Sequence, residues 1–228
     1  MCGRFTLRVS ASIIADQFSI FEVPLLAARF NIAPSQPVPV IRMTSDALEP
    51  RRQLAFVRWG LVPSWAKDPA IGNRMINARA ETVAEKPSYR AALRRRRCLI
   101  AADGFYEWQT VGKRKQPIFI HMRDDRPFGL AGLWETWEGA DHSALETCTI
   151  LTTEPNDLMR PIHDRMPVII AAEDYGLWLD HTVQKPEQIL PLLRPYASEP
   201  MKAYQVSTRV NSPTHDTEEC VRELTKLE

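Results

Sequence analysis

The chain has 228 residues, 44% of them hydrophobic and 25% charged, with a formal net charge of +1. That composition belongs to a globular protein long enough to bury its own core without covalent staples. It excludes a polycation, so any contact with nucleic acid must be made by a local patch and not by the field of the whole molecule.

The chain opens MCGRFT, with Cys2 directly behind the initiator methionine. Methionine aminopeptidases act where the second residue is small, so the mature chain is expected to begin at Cys2. Residues 11–21 (ASIIADQFSIF) space their apolar side chains as a helix does. RFNIAPSQPVPVIRM is an extended segment punctuated by three prolines, and LAFVRWGLVPSW is a strand running into a Pro turn. Residues 87–94 (PSYRAALR) have the pattern of a short helix with Pro at its start. CLIAADGFYEW divides into two strands at the turn dipeptide Asp103-Gly104. Strand patterns follow in QPIFIHM, FGLAGLWETW, LETCTILTT and RMPVIIA, then helices over AEDYGLWLD and PEQILPLLRPY, and a late strand in MKAYQVS. The tail TEECVRELTKLE reads as a terminal helix or a frayed end.

Many strands with inserted helices predict an α+β fold, a mainly antiparallel, curled or barrel-like β core with flanking short helices. No linker composition divides it, so a single domain over residues 1–228 is expected, with a loosely attached tail from about 211. No stretch approaches the roughly 20 apolar residues of a membrane span, and no secretion-signal core follows Arg4 and Arg8. A cytoplasmic protein with reduced thiols is therefore expected. Its cysteines, Cys2, Cys98, Cys148 and Cys220, lack CxxC spacing, which supports neither a metal site nor a dithiol centre. Cys98 and Cys148 lie in apolar runs and read as inert core residues.

Several segments carry chemistry. A chain beginning at Cys2 presents a 1,2-aminothiol, whose α-amine titrates near about 7.7–8.0 and whose thiol titrates near about 8.5. The amine condenses with an aldehyde to an imine, and the thiol then closes a thiazolidine ring. The same residue could instead serve as the N-terminal nucleophile of an amide hydrolase, or pack as a small hydrophobe. In NRMINARAET, Asn77, Arg79 and Glu81 alternate, so an extended backbone sets all three on one face. Asn and Arg on such a face suit a phosphate or a sugar, and a solvated strand face has the same pattern. Glu107 sits between Tyr106 and Trp108, where aromatic walls desolvate a carboxylate and raise its pKa toward acid–base use. His163, flanked by Asp164 and Arg165 at a strand entrance, is a proton relay or an ordinary loop histidine. The run Arg94–Arg97 reads as a solvated charged face before a phosphate contact. Trp59 and Trp65, interleaved with Arg58 and Lys67, have the composition of a single-strand stacking platform or of core packing.

The motifs MCGRF, INARAET, AADGFYEW, QPIFI, LTTEPN and IHDRMPVII occur in that order. Together they resemble the SOS-response-associated peptidase family, whose members shield abasic sites in single-stranded DNA. The resemblance runs from residue 2 to about 210. It implies that Cys2 attacks the ring-opened sugar aldehyde and forms a stable thiazolidine crosslink. It further implies that Asn77 holds Cys2 and the sugar, that Glu107 and His163 move protons, and that Arg4 and Arg79 grip phosphates. Trp65 corresponds to an aromatic segment near the DNA channel. The implied partner is single-stranded DNA containing an abasic site, met by a monomer at the nucleoid, with no cofactor and no metal. Lyase activity and crosslink reversal are implied as side reactions. Two other functions fit the same residues: a cysteine peptidase that removes its own Met1, and a non-catalytic single-strand binding module.

Overall fold

The structure is a computed structural model that describes residues 2–44 and 50–224. In chain order it runs β1 (Phe5–Leu7), α1 (Ala11–Phe18), β2 (Arg29–Ile32), β3 (Pro37–Met43), β4 (Arg52–Trp59), β5 (Asn77–Arg79) and α2 (Arg90–Arg95). Then come β6 (Arg97–Ala102), β7 (Gly104–Val111), β8 (Arg114–Met122), β9 (Phe128–Glu138) and β10 (Ala144–Thr153). The last elements are β11 (Met166–Pro167), β12 (Ile169–Ile170), α3 (Tyr175–Leu179), α4 (Pro186–Ile189) and β13 (Met201–Gln205).

The predicted barrel is present. Strands β10, β4, β3, β6 and β9 pair in that order, and β9 pairs again with β10, which closes the ring. Closure removes the unpaired edges that an open sheet would expose. Every residue of β6 is buried, which explains its continuous apolar run. Cys98 and Cys148 are fully buried in this core, and all four cysteines are free. Most pairings are antiparallel, but β10 pairs in parallel with β4 and then with β5. The chain leaves β10 at Trp59, loops through residues 60–76, and returns to the same strand as β5. Asn77 and Arg79 therefore lie opposite Ile150 and Thr152.

A second sheet has the order β13-β8-β7-β1-β2. Its centre joins β1, which carries the N-terminus, to β7, which carries Glu107, with Phe5 opposite Phe105. The Asp103-Gly104 break is thus not a hairpin turn. β6 belongs to the barrel and β7 to the second sheet, and the chain crosses between them there. The Asp103 side chain is fully buried at this crossing. It accepts from the Thr6 hydroxyl at 2.5 Å, from the backbone N–H of Val9 at 3.1 Å and from Arg8 Nε at 3.1 Å. A buried carboxylate is tolerable only when so paired. Gly104 follows because a Cβ there would lie 2.3 Å from the Phe119 ring. Asp103→Ala strands those donors and is expected to cost about 3 kcal/mol or more, read as a lower denaturant midpoint with unchanged slope.

Helix boundaries shift for local reasons. α1 stops at Phe18 because Ser19 adopts a left-handed cap, φ 53°, and returns its N–H to Ala15 and Asp16. α4 ends at Ile189 and tightens into a 3-10 turn over Leu190–Leu192, where Pro191 supplies no N–H. α2 begins at Arg90, after a turn in which Lys86 O accepts from Tyr89 and Arg90. The arginine run after it splits by role. Arg97 is buried and donates to four backbone carbonyls, Arg96 pairs with Glu135 at 2.6 Å, and Arg94 and Arg95 are exposed. The expected loose tail is tied down through residue 224. A 3-10 turn covers Glu218–Cys220, and Val206 bridges Glu223. The final residues 225–228 of the expected helix lie outside the described residues.

Candidate active site

β1, β5, β7 and the loop before β11 converge, and each brings one residue singled out from the sequence. Cys2 is fully buried, and its thiol lies 3.9 Å from the Arg4 carbonyl oxygen. Burial pushes this thiol well above its usual range, and the charge of Glu107 adds to the shift. The group is therefore held as a neutral thiol at pH 7. Asn77 donates from Nδ2 to the Cys2 carbonyl at 2.9 Å. Its Oδ1 is buried with no hydrogen-bond partner among the described residues, an acceptor left over for an incoming donor.

Glu107 is 2% exposed. Burial raises its pKa to about 7, against the opposing pull of the chain's positive amino terminus and the Trp108 N–H. A carboxyl poised there both gives and takes a proton near neutrality. His163 Nε2 lies 3.9 Å from Glu107 Oε2. Its Nδ1 lies 3.0 Å from the Arg165 backbone N–H and 2.8 Å from Asp164 Oδ1, so the loop itself fixes the orientation of the ring. Burial lowers the His163 pKa, so the ring is neutral at pH 7.

The alternating row Asn77, Arg79, Glu81 does not survive. The strand ends at Arg79, and Ala80–Thr82 form a 3-10 turn that swings Glu81 away. Glu81 instead takes a bidentate ion pair from Arg165, at 2.7 and 2.9 Å, and Arg165 also donates to the Thr152 carbonyl at 2.6 Å. In the sequence Arg165 reads only as a flank of His163. Its opposite charge to Glu81, in a second motif, was the available signal. The pair ties the His163 loop to the segment bearing Asn77.

Arg79 is exposed beside this group. Trp65, in the 60–76 loop, is 60% exposed, whereas Trp59 is buried and donates to the Ile76 carbonyl at 2.8 Å. The expected two-tryptophan platform is thus a single exposed ring, with Trp59 fixing the approach to Asn77. Trp65 lines a cavity of about 320 Å³ with Lys67 and Arg74. Arg4 is turned inward. Its guanidinium donates to Asn31 Oδ1 at 2.9 Å and to the carbonyls of Val210 and Asn211 at 2.6 and 3.1 Å. Among the described residues no three His, Cys, Asp or Glu side chains are grouped to hold a metal ion. None of their helices is long and apolar enough to cross a membrane.

The sequence matches the family described as SOS response associated peptidase over residues 1–213. It is 45% identical over 225 residues to the abasic site processing protein YoqW of Bacillus subtilis, covering 97% of this chain and 99% of that one. It is 32% identical to the abasic site processing protein HMCES of Xenopus tropicalis, over 84% of this chain and 65% of that one. A solved structure of a protein from Bacteroides thetaiotaomicron superposes with a TM-score of 0.83 at 26% identity, over 98% of this chain and 100% of that one. With a family match across nearly its whole length and such relatives, the chain belongs to the SOS response associated peptidase family.

Proposed function

We propose that this protein captures abasic sites in single-stranded DNA through a mature N-terminal Cys2. The observation that carries the proposal is the convergence on Cys2 of a buried carboxyl with a pKa of about 7 and a neutral histidine. The names of the relatives point to the same lesion.

Once Met1 is removed, Cys2 carries an α-amine that titrates near about 7.7–8.0, close to Glu107. The raised pKa of Glu107 brings the proton affinities of the two groups toward each other, which suits proton exchange between them. The amine adds to the aldehyde carbon of the ring-opened sugar, and Glu107 protonates the departing hydroxyl, which leaves as water. The thiol is buried and neutral, so the amine reacts first. The sulfur then adds to the imine carbon while the thiol proton passes to nitrogen, which closes a five-membered ring. One water leaves overall, and no oxidant or reductant is consumed. Asn77 holds the Cys2 carbonyl and offers Oδ1 to the substrate. His163, beside Glu107, serves the sugar oxygen during ring opening. The imine also acidifies the adjacent carbon, so β-elimination competes with ring closure and accounts for a lyase side reaction.

Arg79 and the Trp65 ring supply non-covalent contacts to the strand. Trp65→Ala is expected to weaken binding of an undamaged oligothymidylate by the loss of one base stack, about 1–3 kcal/mol, as read by fluorescence anisotropy. A monomer acting as one domain, in the cytoplasm and at the nucleoid, suits this task.

The deciding experiment incubates protein beginning at Cys2 with a single strand bearing one abasic site, followed by a denaturing gel and intact-mass analysis. A heat-stable adduct one water lighter than the sum of its parts is expected, and none with an intact base. Absence of any adduct overturns the proposal. Peptide turnover that requires Cys2 and ignores abasic DNA would identify a peptidase instead.

A further inference from the structure

The segment after β13 crosses the outer edge of the second sheet beside the N-terminal strand. Its 3-10 turn, Thr208–Asn211, presents the Val210 and Asn211 carbonyls to the Arg4 guanidinium. Farther along, the carbonyls of Ser212 and His215 accept from Asn31 Nδ2 at 3.0 and 2.6 Å. The Asp216 carboxylate takes the Asn31 backbone N–H at 2.8 Å and pairs with Arg29. Asn211 Oδ1 accepts from Trp108 Nε1 at 2.7 Å, next to Glu107. Val210 and Cys220 bury themselves against Tyr106 and Phe119 beneath. Asn31 itself is fully buried and also accepts from Arg4.

Arg4 is the link between this strap and the reacting group. Its backbone carbonyl accepts from the Tyr106 N–H at 3.0 Å and faces the Cys2 thiol at 3.9 Å. One residue therefore has its side chain held by the strap and its backbone held against the strand bearing Glu107, two residues from Cys2. We infer that Arg4 is a positioning residue and that the strap over residues 207–221, not a DNA phosphate, holds its guanidinium. The strap fixes the reach of the N-terminal tether and so the approach of the Cys2 amine and thiol to the aldehyde. The inference rests on the capture chemistry above and assigns to this surface a task separate from DNA binding. A short tether gains rate only when its end is held near the attack geometry, and misplacement by about 1 Å costs on the order of 100-fold.

The test compares Arg4→Ala, Asp216→Ala and Asn211→Ala with the wild type. Crosslinking to a single-stranded abasic oligonucleotide is followed in single turnover at saturating protein, alongside equilibrium binding of the undamaged strand across a salt series. All three variants are expected to crosslink more slowly, Arg4→Ala by about tenfold or more, with undamaged-strand affinity and salt slope unchanged. Asp216→Ala is the sharpest arm. Removing a negative charge cannot weaken phosphate binding, yet the strap requires it to slow the chemistry. If Arg4→Ala instead lowers affinity and reduces the salt slope by about 0.7, one phosphate contact to a single strand, with a normal saturated rate, Arg4 grips DNA and the inference is overturned. Wild-type rates in Asp216→Ala and Asn211→Ala overturn it as well. Amide hydrogen exchange over residues 3–8 provides a readout independent of the capture chemistry and of any fold defect in Arg4→Ala. Exchange there must rise in Asp216→Ala and Asn211→Ala while the barrel stays protected, and unchanged exchange rejects the strap. Failure of the wild type to crosslink would count against the capture chemistry alone.

Discussion

Replacing Cys2 by serine is expected to abolish the heat-stable adduct while leaving the imine chemistry in place. Serine preserves the N-terminal amine, the bond from Asn77 to the residue 2 carbonyl, and nearly the volume of a side chain that is fully buried. It removes only the sulfur. The amine still condenses with the aldehyde, but a hydroxyl closes the five-membered ring far less readily than a thiol. The adduct should therefore go from near-complete to undetectable after heating, and borohydride should recover it by reducing the imine. Strand cleavage should rise, because the imine now has β-elimination as its main exit. Denaturing gels with and without borohydride check all three outcomes. A heat-stable adduct at wild-type yield from Cys2→Ser would show that sulfur takes no part. In the same assay His163→Ala is expected to slow adduct formation and strand cleavage together, because both begin from the ring-opened aldehyde that it helps to form.

Glu107→Gln is expected to separate stability from activity. The folded pKa of Glu107 is raised to about 7 by burial. A raised carboxyl pKa means that the unfolded chain gives up its proton first as pH rises. Wild-type folding stability is thus undiminished at pH values below the unfolded pKa. It falls through the window between the unfolded pKa and about 7, and the loss is complete above that. The accumulated cost is about 3 kcal/mol at pH 8. Glutamine cannot ionise, so Glu107→Gln should match the wild type near pH 4 and exceed it at pH 8. Denaturant melts at the two pH values measure the difference, and equal stability at pH 8 would refute the buried-carboxyl account. The same substitution should slow crosslinking by about 100- to 10,000-fold, the usual worth of general acid–base catalysis. It should also flatten the descending limb of the pH–rate profile above about pH 7, where the wild type loses its protonated acid. A variant both more stable and nearly inert is the expected signature of a group kept in an unfavourable environment for its chemistry.

Much of the site is legible in the linear chain because its chemistry is local. On the proposed reading, Cys2 directly behind Met1 becomes an aminothiol without reference to any fold. Glu107 is buried and its pKa raised, but Tyr106 and Trp108 lie on the opposite face of β7, so the fold and not its sequence neighbours desolvates it. Asn77 and His163 stand in short motifs, and the fold brings both to the same place as Cys2 and Glu107. The alternation and apolar runs also suffice for most strands, since side-chain periodicity is a property of consecutive residues.

Where the structure departs from the sequence pattern, partners distant in sequence decide the local outcome. Glu81 leaves its strand face because Arg165, 84 residues away, offers a bidentate partner. Trp59 and Trp65 are alike in composition, but only Trp59 falls inside the closed barrel. Asp103-Gly104 has the form of a hairpin turn, yet the buried carboxylate binds residues 6, 8 and 9 and sends the two strands into different sheets. Arg4 reads as a surface cation until Val210 and Asn211, more than 200 residues on, take its guanidinium. By itself the sequence determined the reactive groups and the element types, because both follow from side-chain chemistry and short-range periodicity. Tertiary structure alone decided barrel closure, the parallel return of residues 77–79 along β10, and the strap over the N-terminus. Each of these depends on burial and pairing between segments whose meeting is set by the free energy of the whole core.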